Sequence, residues 1–342
     1  MRQRRNPEAK SSAMPHQYQE TADAILAAQR IVLAGHVNPD GDTLGCVLAL
    51  SHLLHHLGKD FVPISTDGVP DNLRWLPGSE WIQTTTERRD FDLAIVCDAG
   101  ALERIGRSVV PIIEAAPHII DIDHHVVVGE TFGDIQILDD TAAATAELIY
   151  KLLNLFPSVD LPADVQQCIA QCLMTGLITD TGSFRYLNVT PDTFRTAAEL
   201  QSWGATPAPI NELVFENRSY ASLKLLGRAM DALQTTPDGK VAWTRVTAQD
   251  MEEFGATDAD TEGIVNHARA VTTAQIGILF REVPGKKVRI SLRARDGADV
   301  NRIANVFGGG GHKLAAGCSL EPPLEDVERV VVAEAARQLA AS

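Results

Sequence analysis

The segment His36-Val37-Asn38-Pro39-Asp40-Gly41-Asp42 sets one imidazole and two carboxylates in a single short stretch of chain. Pro39 and Gly41 let the backbone turn sharply and aim Asp40 and Asp42 at neighbouring points in space. Capping of a following helix would account for Asp42, but not for His36 or Asp40. Three further sites of the same chemistry end the other strand-like runs: Asp98 after DLAIVC, the triplet Asp123-His124-His125 at the end of HIIDID, and Asp180 at the end of GLIT. Each has a plain reading alone, as a turn former, a cap or a surface histidine. Four such sites on the same edge of one sheet favour a shared role. Imidazole plus carboxylate is a ligand set for Mn²⁺, Fe²⁺ or Zn²⁺ and a poorer one for Ca²⁺. Carboxylates gathered together repel one another unless divalent cations neutralise them. The set is large enough for two ions with one bridging carboxylate. Two ions about 3.5–4 Å apart can activate a water and stabilise in-line displacement at phosphorus. No covalent nucleophile is needed. The chain has no GxSxG elbow, and Cys46 lies beside acidic groups that disfavour its thiolate.

A second cluster is Val306-Phe307-Gly308-Gly309-Gly310-Gly311-His312-Lys313. Four consecutive glycines cost backbone entropy and pack nothing. A bare loop leading into LAAG, read as a helix start, would point amides at a phosphate. His312 and Lys313 add donors and charge. Arg293 and Arg295 share one face of a strand by their two-residue spacing, and one of them could reach the same anion. A flexible turn with surface charges is the plain alternative. The run fits neither a P-loop nor a dinucleotide fingerprint. Arg185, just after Asp180, is a candidate for holding substrate phosphate. Phe184 or Tyr186 is a candidate base-stacking surface, and either serves equally as core.

These residues need elements to position them. Apolar runs at 31–37, 61–66, 92–98 and 118–123 read as strands. Helical patterns follow at 42–54, 141–153 and 163–177, the last running into TGLITDTGSF. Continuous apolar strands separated by helices indicate a mostly parallel sheet covered on both faces. In an open parallel sheet, ligands collect beyond the carboxyl ends of the strands. A polar, proline-punctuated stretch at 206–217 reads as a linker. Beyond it come helices at 219–232, 248–254, 260–269, 299–306 and 325–340, with strands at 241–246, 276–283 and 287–295. The last two strands form an adjacent pair around PGK. The organisation is then a disordered tail at 1–20, a catalytic domain at 21–205, the linker at 206–217 and a smaller α/β domain at 218–342.

Composition narrows the function. The chain has 342 residues, 45% hydrophobic and 22% charged, which is ordinary globular usage for about two domains. Thirty Lys and Arg against 45 Asp and Glu give a net charge of −15, which argues against a surface that coats long duplexes. A small anionic substrate remains compatible, because local metals outweigh a distant negative surface. No apolar run approaches the ~18 residues of a membrane helix, and no hydrophobic segment follows the basic start, so neither a membrane span nor a secretory signal is expected. Met14 is an alternative start. The cysteines at 46, 97, 168, 172 and 318 form no CxxC pair, which fits buried thiols in a reducing, cytoplasmic setting. Cys168 and Cys172 share a helix face as core residues rather than as a metal pair.

Taken in order, HVNPDGDTLG, IVCDAG, Asp123-His124-His125 and LMTGLITDTGSFRY resemble the successive motifs of the DHH phosphoesterases. SLRAR followed by GGGGHKLAAG resembles the associated DHHA1 domain. The resemblance covers about residues 22–340 and is similar in length to the nanoRNase and 3'-phosphoadenosine 5'-phosphate (PAP) phosphatase branch. It implies that His36, Asp40 and Asp98 hold one ion. Asp42, the bridging Asp98, His124 and Asp180 hold the other. His125 then faces substrate phosphate, Asp123 orients the histidines and Arg185 assists. Arg293, Gly308, Gly309, Gly310, Gly311, His312 and Lys313 grip the far end of the nucleotide in a cleft between the domains. The ions implied are two Mn²⁺, with Mg²⁺ or Co²⁺ as substitutes. The substrates implied are short single-stranded oligonucleotides of about two to five nucleotides, too few phosphates to need a long basic surface, or small phosphorylated nucleotides. A homodimer is a further expectation. Competing readings are a cyclic-di-AMP or linear dinucleotide phosphodiesterase, a manganese-dependent inorganic pyrophosphatase, and a nucleotide-binding regulator without catalysis. Cys46 stands where relatives commonly carry serine, at a position that is not a ligand. SLRAR has alanine where relatives often have serine.

Overall fold

Five short strands build the first sheet: β1 (Arg30–Ala34), β2 (Asp60–Ile64), β3 (Leu93–Cys97), β4 (Ile119–Asp123) and β5 (Ile135–Leu138). They lie in the order β2-β1-β3-β4-β5, and every pairing is parallel. Alternate residues face opposite cores. Ile31, Leu33, Ile95, Ile120 and Ile122 pack on one face, while Val32, Ala34, Ala94 and Val96 pack on the other. Burial on both faces is why these strands read as unbroken apolar runs rather than alternating ones. The first face is covered by α1 (Pro7–Ala27), α2 (Gly41–His56), α4 (Thr145–Leu153) and α5 (Ala163–Asp180), and the second by α3 (Val110–Ile113). α6 (Pro191–Ser202) and α7 (Pro207–Asn211) complete this unit. The chain leaves β1 toward β2 on one side and continues through β3 on the other, so the strand order reverses between β1 and β3. A crevice opens beyond the strand ends at such a reversal.

The computed structural model describes residues 7–126, 131–156, 160–283, 287–295, 297–311, 313–321 and 323–340, with side chains from residue 16 onward. The chain divides at Asn217–Arg218 into two units. The second begins with α8 (Tyr220–Asp231) and holds a six-stranded mixed sheet. Its strands are β6 (Gln234–Thr235), β7 (Val241–Val246), β8 (Ile276–Arg281), β9 (Val288–Ala294), β10 (Gly310–Gly311) and β11 (Ala315–Leu320), in the order β10-β11-β9-β8-β7-β6. Within this sheet only β7 and β8 pair in parallel among the described residues. α11 (Val300–Val306) and α12 (Leu324–Ala340) cover one face, and α8 and α10 (Ile264–Arg269) the other; α9 (Ala248–Glu253) follows β7. The α/β class and the order of a parallel-sheet unit followed by a smaller mixed one match the sequence expectation.

Four local readings are corrected. The expected tail is helical from Pro7, with Tyr18, Ala22 and Ile25 buried against the first unit at one-face helical spacing. The expected linker at 206–217 is α7 followed by a π-helical turn at Glu212–Glu216, and Ile210 is buried in the core. Pro207 looked like a breaker but occupies a first helical turn, where its missing N–H costs nothing. The GLIT stretch is the last turn of α5 rather than a strand, so Asp180 comes from a helix end. The glycine run does not open a helix. Gly310 and Gly311 form β10 and pair with Gly317 and Ala316 of β11. A Cβ on Gly309 would sit 2.2 Å from the Gly317 carbonyl oxygen, so the run permits a close backbone approach. The PGK turn lies outside the described residues.

Candidate metal centre

Asp40, not Asp42, caps α2. Its Oδ1 accepts from the backbone N–H groups of Asp42 and Thr43 at 3.0 and 3.1 Å, which satisfies two amides the helix leaves open. Its Oδ2 remains 3.8 Å from His36 Nε2. His36 follows β1 and is buried; its Nδ1 lies 2.8 Å from the Val37 carbonyl oxygen. That bond assigns the proton to Nδ1 and leaves the Nε2 lone pair facing Asp40 and Asp98, the latter at 3.4 Å.

Asp98 follows β3 with its backbone in the left-handed region, at φ +59. Such a conformation in a non-glycine residue marks a constrained position. The carboxylate is 1% exposed. Its Oδ2 faces His36, and its Oδ1 lies 3.6 Å from His124 Nε2 and 3.4 Å from His125 Nδ1. Two hydroxyls complete its environment. Thr43 Oγ1 donates to Oδ2 at 2.7 Å, and Thr145 Oγ1 donates to Oδ1 at 3.1 Å.

Asp42 sits in the first turn of α2, fully buried, and serves the start of another helix. Its oxygens accept from the Thr145 N–H at 2.6 Å and the Ala146 N–H at 3.0 Å, the first amides of α4. His124 is fixed through Nδ1, 3.3 Å from the Ala142 carbonyl oxygen. Its Nε2 lies 3.0 Å from Asp180 Oδ2, yet it is buried without an aligned hydrogen-bond partner. An orphaned imidazole nitrogen among carboxylates is where a cation fits. His125 donates its backbone N–H and Nδ1–H to Asp123 Oδ1 at 3.1 and 2.7 Å, leaving Nε2 unassigned. Ligand-type atoms fall into three groups, each within 4.8 Å: His36, Asp40 and Asp98; Asp42, His124 and Asp180; and Asp98, His124 and His125. All six candidate metal ligands therefore converge, with Asp98 and His124 shared between groups.

The electrostatics describe a site short of positive charge. Burial, then the charges of Asp98 and Asp180, push Asp42 well above the usual carboxylate range. Burial pushes Asp180 up to about 6 against the pull of His124. Burial lowers His124, but its close contact with the Asp180 carboxylate and the other surrounding carboxylates outweigh that and raise it to about 10. Burial also raises Asp98, and the close contact with His36 and the nearby imidazoles reverse the sign, leaving it below its ordinary value. Without a metal, these groups share protons to limit their repulsion. Divalent cations would replace those protons. The donor set, nitrogen and carboxylate oxygen with no thiolate, fits such ions. Burial and Asp42 push the Cys46 thiol far up, as its neighbours predicted.

The remaining candidates are more dispersed. Arg185 is exposed, and its Nε donates to the Gly182 carbonyl at 2.6 Å in the turn after Asp180. Phe184 stacks on Phe194 with ring centres 5.6 Å apart and also packs against the core. The Tyr186 ring lies over Gly182 and is half exposed. On β9, Arg293 is partly buried, and burial together with the charge of Arg269 lowers its pKa. Arg295 donates to the carbonyls of Arg269, Val271 and Thr272 beyond the end of α10, a structural use that leaves Arg293 as the anion candidate of the pair. Lys313 is exposed, and His312 lies outside the described residues. Sequence reasoning missed Thr43, Thr145 and Asn188, whose side-chain amide donates to the Asp180 and Ala143 carbonyls at 3.1 and 3.0 Å. Thr43, next to Asp42, had a positional signal; the other two had none.

Comparison with known proteins identifies the family. Residues 30–177 match the DHH family, N-terminal domain, and residues 238–341 match the DHHA1 domain. The chain is 33% identical over 292 residues to the bifunctional oligoribonuclease and PAP phosphatase NrnA of Thermus thermophilus, spanning 85% of this chain and 84% of the relative. It is 26% identical over 302 residues to the protein of the same name from Bacillus subtilis, spanning 88% and 92%. The crystal structure of an exopolyphosphatase-related protein from Bacteroides fragilis superposes with a TM-score of 0.87 at 28% identity, over 96% of this chain and 97% of that one. The chain belongs to the DHH phosphoesterase family, with a DHHA1 domain following its DHH domain.

Proposed function

We propose that this enzyme hydrolyses short oligonucleotides, about two to five residues long, to mononucleotides, removes the 3'-phosphate of PAP, and uses two Mn²⁺ ions to do so. The observation that carries the reading is the convergence of all six metal-type side chains in overlapping groups, with the buried Asp98 common to the group of His36 and Asp40 and to that of His124 and His125, and His124 linking the latter to Asp42 and Asp180. The names of the relatives support the substrate class. His36, Asp40 and Asp98 are assigned to one ion, and Asp42, Asp98, His124 and Asp180 to the other. When bound, the ions supply an activated water and offset charge on the phosphoryl oxygens. The chain's own residues do the rest. His125, held through Nδ1 by Asp123, offers Nε2 as a proton donor to the leaving ribose oxygen. Arg185 adds positive charge near the phosphoryl group. Arg293, the backbone of Gly308–Gly311 and Lys313 hold the distal part of the nucleotide, together with His312, and so set length preference.

The test is turnover of a panel with Mn²⁺: pApA, short RNA, short DNA, PAP, cyclic di-AMP and pyrophosphate, with Asp98→Ala as the control. Expected are fast cleavage of pApA and short RNA, release of phosphate from PAP, and loss of both in the variant. Preference for pyrophosphate or cyclic di-AMP would replace the substrate assignment. Tight nucleotide binding without turnover would indicate a regulator. Near-normal hydrolysis by Asp98→Ala with two ions bound would end the bridging role.

A further inference from the structure

We propose that Thr43 and Thr145 are positioning residues that hold Asp98 as a two-ended bridge, one hydroxyl governing each metal subsite. The inference rests on the metal assignment above and goes beyond the ligands themselves.

A carboxylate has about four lone-pair positions, two on each oxygen. In Asp98 each oxygen faces a different ligand group. Oδ2 looks toward His36, and Oδ1 toward His124. Each oxygen also accepts one hydroxyl proton, from Thr43 at Oδ2 and from Thr145 at Oδ1. One lone pair per oxygen then remains, directed at its own subsite. Thr43 Oγ1 lies 3.3 Å from Asp40 Oδ1 as well, but its single proton serves one acceptor, and the shorter contact of 2.7 Å goes to Asp98. Without these bonds the carboxylate could rotate about its χ2 torsion, which is broad for an acid side chain, and both ions could compete for one oxygen.

Thr145 has a second tie. Its backbone N–H holds Asp42, so one residue at the start of α4 fixes a ligand from each group. Both threonines are buried, at 1% and 0% exposure, and no solvent can replace their hydroxyls. Thr→Val keeps shape and volume and removes only the donor. At position 145 the backbone bond to Asp42 is kept, which isolates the hydroxyl.

The test measures Mn²⁺ binding to the metal-stripped full chain by calorimetry and by the electron paramagnetic resonance of the ions, with circular dichroism and melting as folding controls. Partners that orient ligands are typically worth 10–100-fold in metal affinity. Thr145→Val should weaken one ion by about tenfold or more and leave the other within about threefold. The retained site should be the one left by Asp180→Ala. Thr43→Val should weaken the opposite ion, leaving the site left by His36→Ala. The signal of two exchange-coupled ions should fade in both Val variants, and Thr→Ser at either position should restore it. Unchanged binding in both Val variants, equal weakening of both ions, or failure of serine to rescue would overturn the inference while leaving the metal centre standing. A wild-type chain that binds fewer than two ions would overturn the metal assignment and this inference with it.

Discussion

At the residue scale, the proposed assignment separates groups that would bind cations from one that would move a proton. His36 and His124 both commit Nδ1 to a backbone carbonyl and turn Nε2 inward. His125 instead commits Nδ1 to Asp123, at 2.7 Å, although Asp98 Oδ1 lies only 3.4 Å away. The shorter bond to a buried carboxylate fixes the ring and leaves Nε2 for the proposed contact with substrate. A proton delivered to the leaving oxygen typically contributes 10²–10⁴-fold. His125→Asn should therefore lower kcat on pApA by about that factor with metal content unchanged. The same variant should lose little on a nitrophenyl phosphodiester, whose leaving group departs without a proton. Equal loss on both substrates would show that His125 acts otherwise, as a ligand or a phosphate contact. These roles were readable in part from spacing. The three imidazoles and their carboxylates could be grouped because each follows an apolar run. The threonine hydroxyls could not, because nothing in AAAT marks a side chain that reaches Asp98 from 47 positions away.

At the element scale, the site depends on how closely α2 and α5 approach. A Cβ on Gly45 would lie 2.4 Å from the Cys172 carbonyl oxygen, and one on Gly176 would lie 2.4 Å from Asp42 Oδ1. Gly176 therefore lets the helix that ends in Asp180 pass against the helix that carries Asp42. Gly176→Ala must push either α5 or the Asp42 carboxylate aside. Overpacking of this kind costs about 1–3 kcal/mol, and here it falls on a ligand. The variant should lose Mn²⁺ affinity and activity more than melting temperature; a loss of stability alone would mean the helices yield without moving Asp42. β4 offers a second test. Burial, then the charge of Asp123, push Asp121 up to about 8, and its Oδ1 has no partner among the described residues. The unfolded value is about 4, so the folded state holds the extra proton. Stability should fall as pH rises from about 4 through 8 and then level. Asp121→Asn keeps the neutral form at every pH. It should raise the melting temperature modestly near pH 5 and by clearly more at pH 8, because the penalty it removes grows as pH rises between the two pKa values. Identical shifts at both pH values would assign Asp121 no titration. Elements with long one-period patterns were legible: β1, β3, β4 and α2 lie where the apolar runs put them. β5 was not, because IQIL is short and edge-placed, and Asp180 was misassigned because GLIT is β-branched yet continues an amphipathic helix.

At the scale of the whole molecule, charge sets what the enzyme can hold. The chain carries −15 overall, and the side-chain cations proposed for substrate are three, Arg185, Arg293 and Lys313, beside the proposed pair of metals. Each phosphate neutralised by Lys or Arg on a single strand contributes a slope of about −0.7 in log affinity against log salt. Two or three contacts predict a slope of about −1.4 to −2.1. A surface that tracks a long strand would give a slope several times steeper and would gain affinity with every added nucleotide. The acidic exterior works the other way, since nucleotides beyond the gripped few meet repulsion that salt relieves. Two signatures are therefore expected in kcat/KM measured from 50 to 200 mM salt. For chains of about two to five nucleotides the value should decline gently with salt. For a 20-mer, about four to ten times that length, it should be lower at every salt concentration and decline less steeply still, because screening also weakens the repulsion. A 20-mer degraded as fast as pApA, with a slope steeper than about −4, would require a basic track that this composition does not supply, and would move the substrate class from short products to polymers.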